Sequence, residues 1–195
     1  MLKVGITGKI GSGKSTICRI FESIGIPVYY SDTEAKKFYN YPQIIEILCN
    51  KFGKGILDID KKIDKRALAS IVFNDENKLE QLNSIIHPLV IKDFDAWYKE
   101  KKDFPYVLFE SAIIYQCGIA SLFSKIIFVD CPEEIAIKRV MKRDNTTHQA
   151  VLERLSKQKN ETHPYDYIIL SNEENLEIPQ ILKIHNQLLD ISNQT

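Results

Sequence analysis

The sequence predicts an α/β chain built on a doubly wound, mostly parallel sheet of five strands. Three observations carry that reading. Five short apolar runs recur along the 195 residues, at 2–7, 27–30, 106–109, 125–129 and 167–170. Segments of helical period separate them, the pattern of strands covered by helices on both faces. A glycine-rich loop joins the first run to the first helix, and the second and third runs are much farther apart than a simple crossover requires.

Taken in order, residues 2–7 (LKVGIT) form a buried strand and residues 8–13 a loop. Residues 15–24 place Ile17, Ile20, Phe21 and Ile24 at helical spacing, and Gly25 follows as the stop. A strand at 27–30 leads to a short helix at 33–39. From 42 to 102 the pattern is helical and more polar, and predicts several short helices broken at Phe52-Gly53, at Gly55 and at His87-Pro88, with Pro88 in a first-turn position. Strands at 106–109 and 125–129 each run into an acid, Glu110 and Asp130. Helices are expected at 132–143, 147–159 and 178–191, with the last strand at 167–170. No repeat or linker divides the chain, so residues 1–195 are expected to form one domain, with a helical substrate-binding insertion at 33–104 and lid helices within 132–160.

Composition narrows the class. The chain is 44% hydrophobic, enough for a sizeable core, and its 26 Lys and Arg balance its 26 Asp and Glu. That balance gives no sign of a nucleic-acid or membrane surface. Cys18, Cys49, Cys117 and Cys131 form no C-x-x-C pair, so they read as reduced thiols of a cytoplasmic protein. The first residues resemble neither a signal peptide nor a membrane span, and no obligate protein partner is indicated.

Residues Gly8-Lys9-Ile10-Gly11-Ser12-Gly13-Lys14-Ser15 fit G-x-x-x-x-G-K-[ST], the Walker A pattern. Glycines let the backbone turn its N–H groups onto phosphate oxygens, and the following helix aims its positive end at them. Lys14 brings a mobile charge to the β- and γ-phosphates, and Ser15 offers its hydroxyl to Mg²⁺. A P-loop NTPase-type fold that uses Mg·ATP follows. A GTPase would need D-x-x-G and N-K-x-D. No aspartate here has glycine three residues later, and the nearest guanine-reader match, Asn77-Lys78-Leu79-Glu80, has the wrong acid. A small-metabolite kinase is the expectation. A nucleotide-gated binding module is the alternative of another class, disfavoured by the same missing motifs.

Several residues are candidates for the acceptor side. Asp32 follows the second strand, where ligands of doubly wound sheets bind, and a carboxylate there can take a hydroxyl proton. The alternative is capping, since Ser31-Asp32-Thr33-Glu34 has the S-x-x-E form. Glu110 can hold a metal-bound water, contact the acceptor, or simply face solvent. Asp130 precedes Cys131-Pro132 and reads as a helix cap. Arg139 and Arg143 are four apart on one helix and share a face, so they can form a lid over the transferring phosphate or belong to a solvated basic face with Lys138 and Lys142. His87 reads as part of a turn or a ligand contact. Asn160, His148 and His163 carry no signal by themselves.

Together these motifs resemble the dephospho-coenzyme A kinase family. The resemblance rests on residues 8–16, Val28-Tyr29-Tyr30-Ser31-Asp32, His87-Pro88-Leu89-Val90, Val129-Asp130-Cys131-Pro132, Arg139 to Asp144 and Tyr167-Ile168-Ile169-Leu170-Ser171-Asn172. It implies transfer of phosphate from ATP to the ribose 3′-hydroxyl of dephospho-coenzyme A. It further implies Asp32 as base and Lys14, Arg139 and Arg143 at the phosphates. Gly8, Ile10, Gly11, Ser12, Gly13, Ser15 and Thr16 would form the ATP loop, with Asn172 near adenine and His87 and Glu110 on the substrate side. Another nucleoside monophosphate or small-metabolite kinase is the runner-up. Two departures stand out. Tyr30 replaces the first acid of an acid-x-acid pair, which leaves Asp32 as the sole base. Ala112-Ile113-Ile114-Tyr115-Gln116 replaces a P-L-L-aromatic-E stretch.

Overall fold

The computed structural model describes residues 1–72, 74–156, 158, 163–172 and 174–194. The strands are β1 (Leu2–Thr7), β2 (Val28–Tyr30), β3 (Tyr106–Glu110), β4 (Lys125–Asp130) and β5 (Tyr167–Leu170). They form one sheet in the order β2-β3-β1-β4-β5, and every neighbouring pair is parallel. The helices α1 (Lys14–Ser23), α2 (Ser31–Phe38), α3 (Pro42–Phe52), α4 (Lys65–Val72), α5 (Glu76–Lys99), α6 (Glu133–Asp144), α7 (His148–Ser156) and α8 (Glu177–Asn193) connect them. The expected end of α7 at positions 157 and 159, and Asn160 beyond it, lie outside the described residues.

Two compact units result. The first comprises Met1–Tyr30 and Glu100–Thr195. Its core places Val4, Ile6, Leu108, Ile127, Val129 and Ile169 of the sheet against Ile17 and Phe21 of α1 and Ile181, Ile184 and Leu188 of α8. α1 ends in a Schellman turn: Ile26 N–H donates to Phe21 O and Gly25 N–H to Glu22 O, at 3.0 and 2.9 Å. Gly25 has φ +88°, and nothing lies within 4 Å of where its Cβ would stand, so backbone freedom alone selects glycine there. A strand edge follows at once, which delivers β2 into the sheet.

The second unit is Ser31–Lys99, against the insertion at 33–104 expected from sequence. It holds α2 to α5, a 3₁₀ turn at Lys54–Ile56 and a short bridge between Leu57 and Ile63. The break expected at His87-Pro88 does not occur: α5 runs 24 residues with Pro88 inside it. Leu82, Ile86, Val90 and Phe94 recur every fourth position and are all buried. Burying each such side chain contributes roughly 1.5–3 kcal/mol, so together they exceed the ~3 kcal/mol that an internal proline costs. No helix among the described residues is long and apolar enough to cross a membrane.

Candidate active site

The phosphate loop lies between β1 and α1, and close packing explains its glycines. A Cβ on Gly8 would stand 2.3 Å from Val129 O, and one on Gly11 2.5 Å from Ala136 O. Gly11 and Gly13 also have φ of +79° and +94°, a region that favours glycine. Lys14 is buried, and its Nζ donates to Gly8 O at 2.7 Å and Lys9 O at 3.0 Å. The loop's own carbonyls therefore hold the ammonium beside the place where phosphate amides converge. Ser15 and Thr16 are exposed in the first turn of α1. Ser12 is buried, and its Oγ has no hydrogen-bond partner among the described residues. Ile10 gives its N–H to Gln158 Oε1 at 2.9 Å, a contact that sequence spacing does not indicate.

The two arginines of α6 have different surroundings. Arg139 is half-buried, and one of its terminal nitrogens donates to Ser171 Oγ at 2.9 Å and Ser12 O at 3.5 Å. Ser171 Oγ in turn donates to Glu177 Oε1 at 3.0 Å, so a carboxylate stands behind the arginine. Ser171 and Glu177 are missing from the set suggested by sequence. The only local signal is a serine immediately after the last apolar run. Arg143 is exposed and forms a fork on Asp144, Nε to Oδ1 at 2.7 Å, and Arg154 binds the same carboxylate at 2.9 Å. Hydrogen bonds from Arg143 hold the Asp144 carboxyl below its usual range. The structure thus brings Arg139, and not Arg143, to the phosphate loop. Asn172 uses its side-chain oxygen locally, accepting from Glu174 N–H and Asn175 N–H in the turn after β5.

Glu110 is buried at the end of β3, in register with Ile6 on one side and Tyr30 on the other. Cys18, one turn beyond Lys14, feels both groups. Burial pushes its thiol well up, Glu110 adds to the shift, and Lys14 opposes it. Glu110 and Lys14 therefore share one electrostatic neighbourhood. Tyr30 donates to Glu22 at 2.9 Å, and burial followed by that bond raises its phenol. Asp130 does not cap α6 as expected. Its Oδ1 accepts from Cys131 N–H, and α6 starts from Pro132 with no side-chain cap, because proline's fixed φ already sets the helix entry. In the departing segment at 112–116, Tyr115 stacks on His163 with centroids 4.1 Å apart, and its hydroxyl donates to Pro164 O. The segment thus anchors the approach to β5.

Within the second unit, three aspartates stand at helix starts. Asp64 Oδ1 accepts from Arg66 and Ala67 N–H at 2.8 and 3.2 Å, and Asp75 Oδ1 from Lys78 N–H at 3.2 Å. Those two are caps. Asp32 is exposed in the first turn of α2, and its carboxylate accepts no hydrogen bond from a described residue. The capping box does not form either, since Glu34 pairs with Lys37. Asp32 instead acts through its charge: it raises Tyr39 after burial, and it opposes the burial that lowers half-buried His87. His87 and Asp32 are therefore neighbours in this unit.

A parallel β2-β3-β1-β4-β5 sheet with a Walker A loop and an arginine reaching that loop defines a P-loop kinase. The dephospho-CoA kinase family model matches residues 2–177. The dephospho-CoA kinase of Porphyromonas gingivalis is 36% identical over 194 residues, covering 94% of this chain and 93% of that one. The dephospho-CoA kinase of Bacteroides fragilis is 34% identical over 187 residues, covering 94% and 91%. The crystal structure of TT1252 from Thermus thermophilus superposes with TM-score 0.86 at 27% identity, covering 96% of this chain and 97% of that one. The chain belongs to the dephospho-CoA kinase family.

Proposed function

We propose that this chain transfers the γ-phosphoryl group of ATP to the ribose 3′-hydroxyl of dephospho-coenzyme A, yielding coenzyme A and ADP, the last step of coenzyme A synthesis. The observation that carries the proposal is a family match that runs from β1 past β5 and includes the assembled phosphate loop. Asp32 takes the proton of the 3′-hydroxyl as its oxygen bonds to γ-phosphorus, and the bond from γ-phosphorus to the bridging oxygen of ADP breaks. Lys14 neutralises the phosphates in ground and transition states. Arg139 offers its guanidinium to the charge that spreads over the equatorial oxygens. Gly8, Ile10, Gly11, Ser12, Gly13, Ser15 and Thr16 are assigned to ATP, with Arg143 and Asn172 at its periphery. His87 and Glu110 are assigned to the acceptor side, and the helical unit Ser31–Lys99 to coenzyme A.

Mg²⁺ suits the donors present. Ser15 offers an exposed hydroxyl and Glu110 a buried carboxylate, both hard oxygen groups, and Mg²⁺ in kinase sites takes few protein ligands besides phosphate oxygens and water. When bound with ATP it neutralises phosphate charge. Four free cysteines suit the reducing cytoplasm.

A coupled ADP-release assay with and without dephospho-coenzyme A tests the proposal. Strong stimulation by that acceptor, and none by AMP, CMP or shikimate, is expected. Equal or greater turnover with a nucleoside monophosphate would overturn it.

A further inference from the structure

One tie in the phosphate loop brings in a residue, Gln158, that has no part in the roles assigned above. Ile10 N–H donates to Gln158 Oε1 at 2.9 Å, across 148 positions of sequence. Gln158 stands two residues past α7, with its own N–H bonded to Leu155 O at 3.0 Å. The Ile10 side chain packs into a small cluster formed by Ile137 and Val140 of α6 and Val151 and Leu155 of α7. Gly11 fits so closely beneath α6 that a Cβ there would stand 2.8 Å from Val140 Cγ2. The variable positions of the loop are therefore a seat on which α6 and α7 rest.

The hydrophobic effect that gathers this cluster is itself non-directional. A hydrogen bond is directional, and this one joins the far end of the helix pair to a loop amide. Arg139 projects from the same α6. It meets the loop through the long 3.5 Å contact to Ser12 O, and Ser171 fixes only one of its terminal nitrogens. The aim of its fork therefore depends on how α6 is set on the loop.

We propose that Gln158 is a positioning residue: through the Ile10 amide it holds α6 and α7 in register with the phosphate loop, and so sets the Arg139 guanidinium for the transferring phosphoryl group. This rests on the phosphotransfer reading above. Gln158 touches no reacting atom, and its loss acts through Arg139. ATP itself is held chiefly by the loop and Lys14, so ground-state binding depends little on this tie.

Gln158→Met removes the acceptor at nearly constant length. Its kcat should fall about tenfold while KM for ATP stays within about twofold, because only an interaction of the transition state is misaligned. In an Arg139→Lys background, with no fork left to aim, the same change should cost less than about twofold, the non-additivity expected of coupled residues. Gln158→Glu keeps an acceptor oxygen and should recover kcat to within about threefold of the parent. Melting curves on every variant correct activity to the folded fraction. If Gln158→Met does not fold, Gln158→Asn, one methylene too short to reach Ile10, replaces it. The proposal is overturned by a Gln158→Met kcat within twofold of the parent, by the full loss recurring in Arg139→Lys, or by Glu restoring nothing. The parent is assayed first. A parent without dephospho-coenzyme A-dependent ADP formation defeats the phosphotransfer reading and this proposal with it, whereas an active parent with an unaffected variant defeats this proposal alone.

Discussion

The phosphate loop and the first turn of α2 are built on opposite principles. The loop is held by partners already in place: Lys14 is buried on the carbonyls of Gly8 and Lys9, Ile10 is tied to Gln158, and Arg139 reaches Ser12 and Ser171. Asp32 is exposed and accepts no hydrogen bond from a described residue, although Asp64 and Asp75 at comparable helix starts do. A site that must bind the same triphosphate in every turnover gains from preorganised donors, which need no rearrangement during reaction. A base that must meet an incoming hydroxyl gains from a carboxylate that no protein donor already occupies. The contrast fits the proposed division, in which the loop binds phosphate and Asp32 takes the proton.

Substitutions can break that division. Lys14→Ala strikes the preorganised side and should have the largest effect, with kcat/KM lower by on the order of 10³–10⁵ and ATP binding weakened as well, since the ammonium meets phosphate charge before and during transfer. Near-normal kcat and KM for ATP would show that the loop is not used this way. Asp32→Asn strikes the other side. Asp32 is exposed and caps nothing among the described residues, and asparagine is nearly isosteric but takes no proton, so folding and ATP binding should be retained while kcat falls by roughly 10²–10⁴. A thermal melt and steady-state kinetics on one preparation decide it. A kcat within a few-fold of the parent removes Asp32 from the mechanism and leaves Glu110 as the next candidate.

Legibility in the sequence followed the same division. The loop could be read because its requirements are local: glycine where a Cβ would strike Val129 O or Ala136 O, and lysine and serine at the helix start. The parallel α/β sheet and the family resemblance followed from alternating apolar runs and ordered motifs, while the order of the strands came only with the structure. What sequence spacing could not supply was pairing across long distances. Nothing near Ile10 points to Gln158, and nothing near Arg139 points to Glu177 through Ser171. Arg139 and Arg143 looked equivalent by spacing, but Asp144 next to Arg143 engages one of them on the surface. Local rules also misled where tertiary burial outweighed them. Pro88 marked a helix start until the stripe from Leu82 to Phe94 carried α5 through it. Ser31 to Glu34 had the form of a capping box, but β2 runs straight into α2 and Glu34 turns to Lys37.

The smallest effect concerns His87, which shares the second unit with Asp32. Burial lowers its imidazole below the usual value, and the Asp32 charge opposes that. The folded state therefore binds fewer protons than the unfolded state between the two values. Stability is unaffected well above the unfolded value of about 6.5, and is lost as pH falls through it toward the lower folded value. His87→Gln cannot titrate, so the Tm of the parent should fall relative to that of His87→Gln as pH drops below about 6.5. Removing the opposing charge with Asp32→Asn lowers the folded value further, so the acid loss relative to a His87→Gln/Asp32→Asn double variant should run deeper than in the parent pair. That comparison tests, without any assay of activity, whether Asp32 and His87 interact in the folded unit. Tm curves that stay parallel across this pH range for both pairs would show that His87 does not feel its burial. An acid loss of equal depth in both pairs would show that the Asp32 carboxylate is too well solvated to reach it.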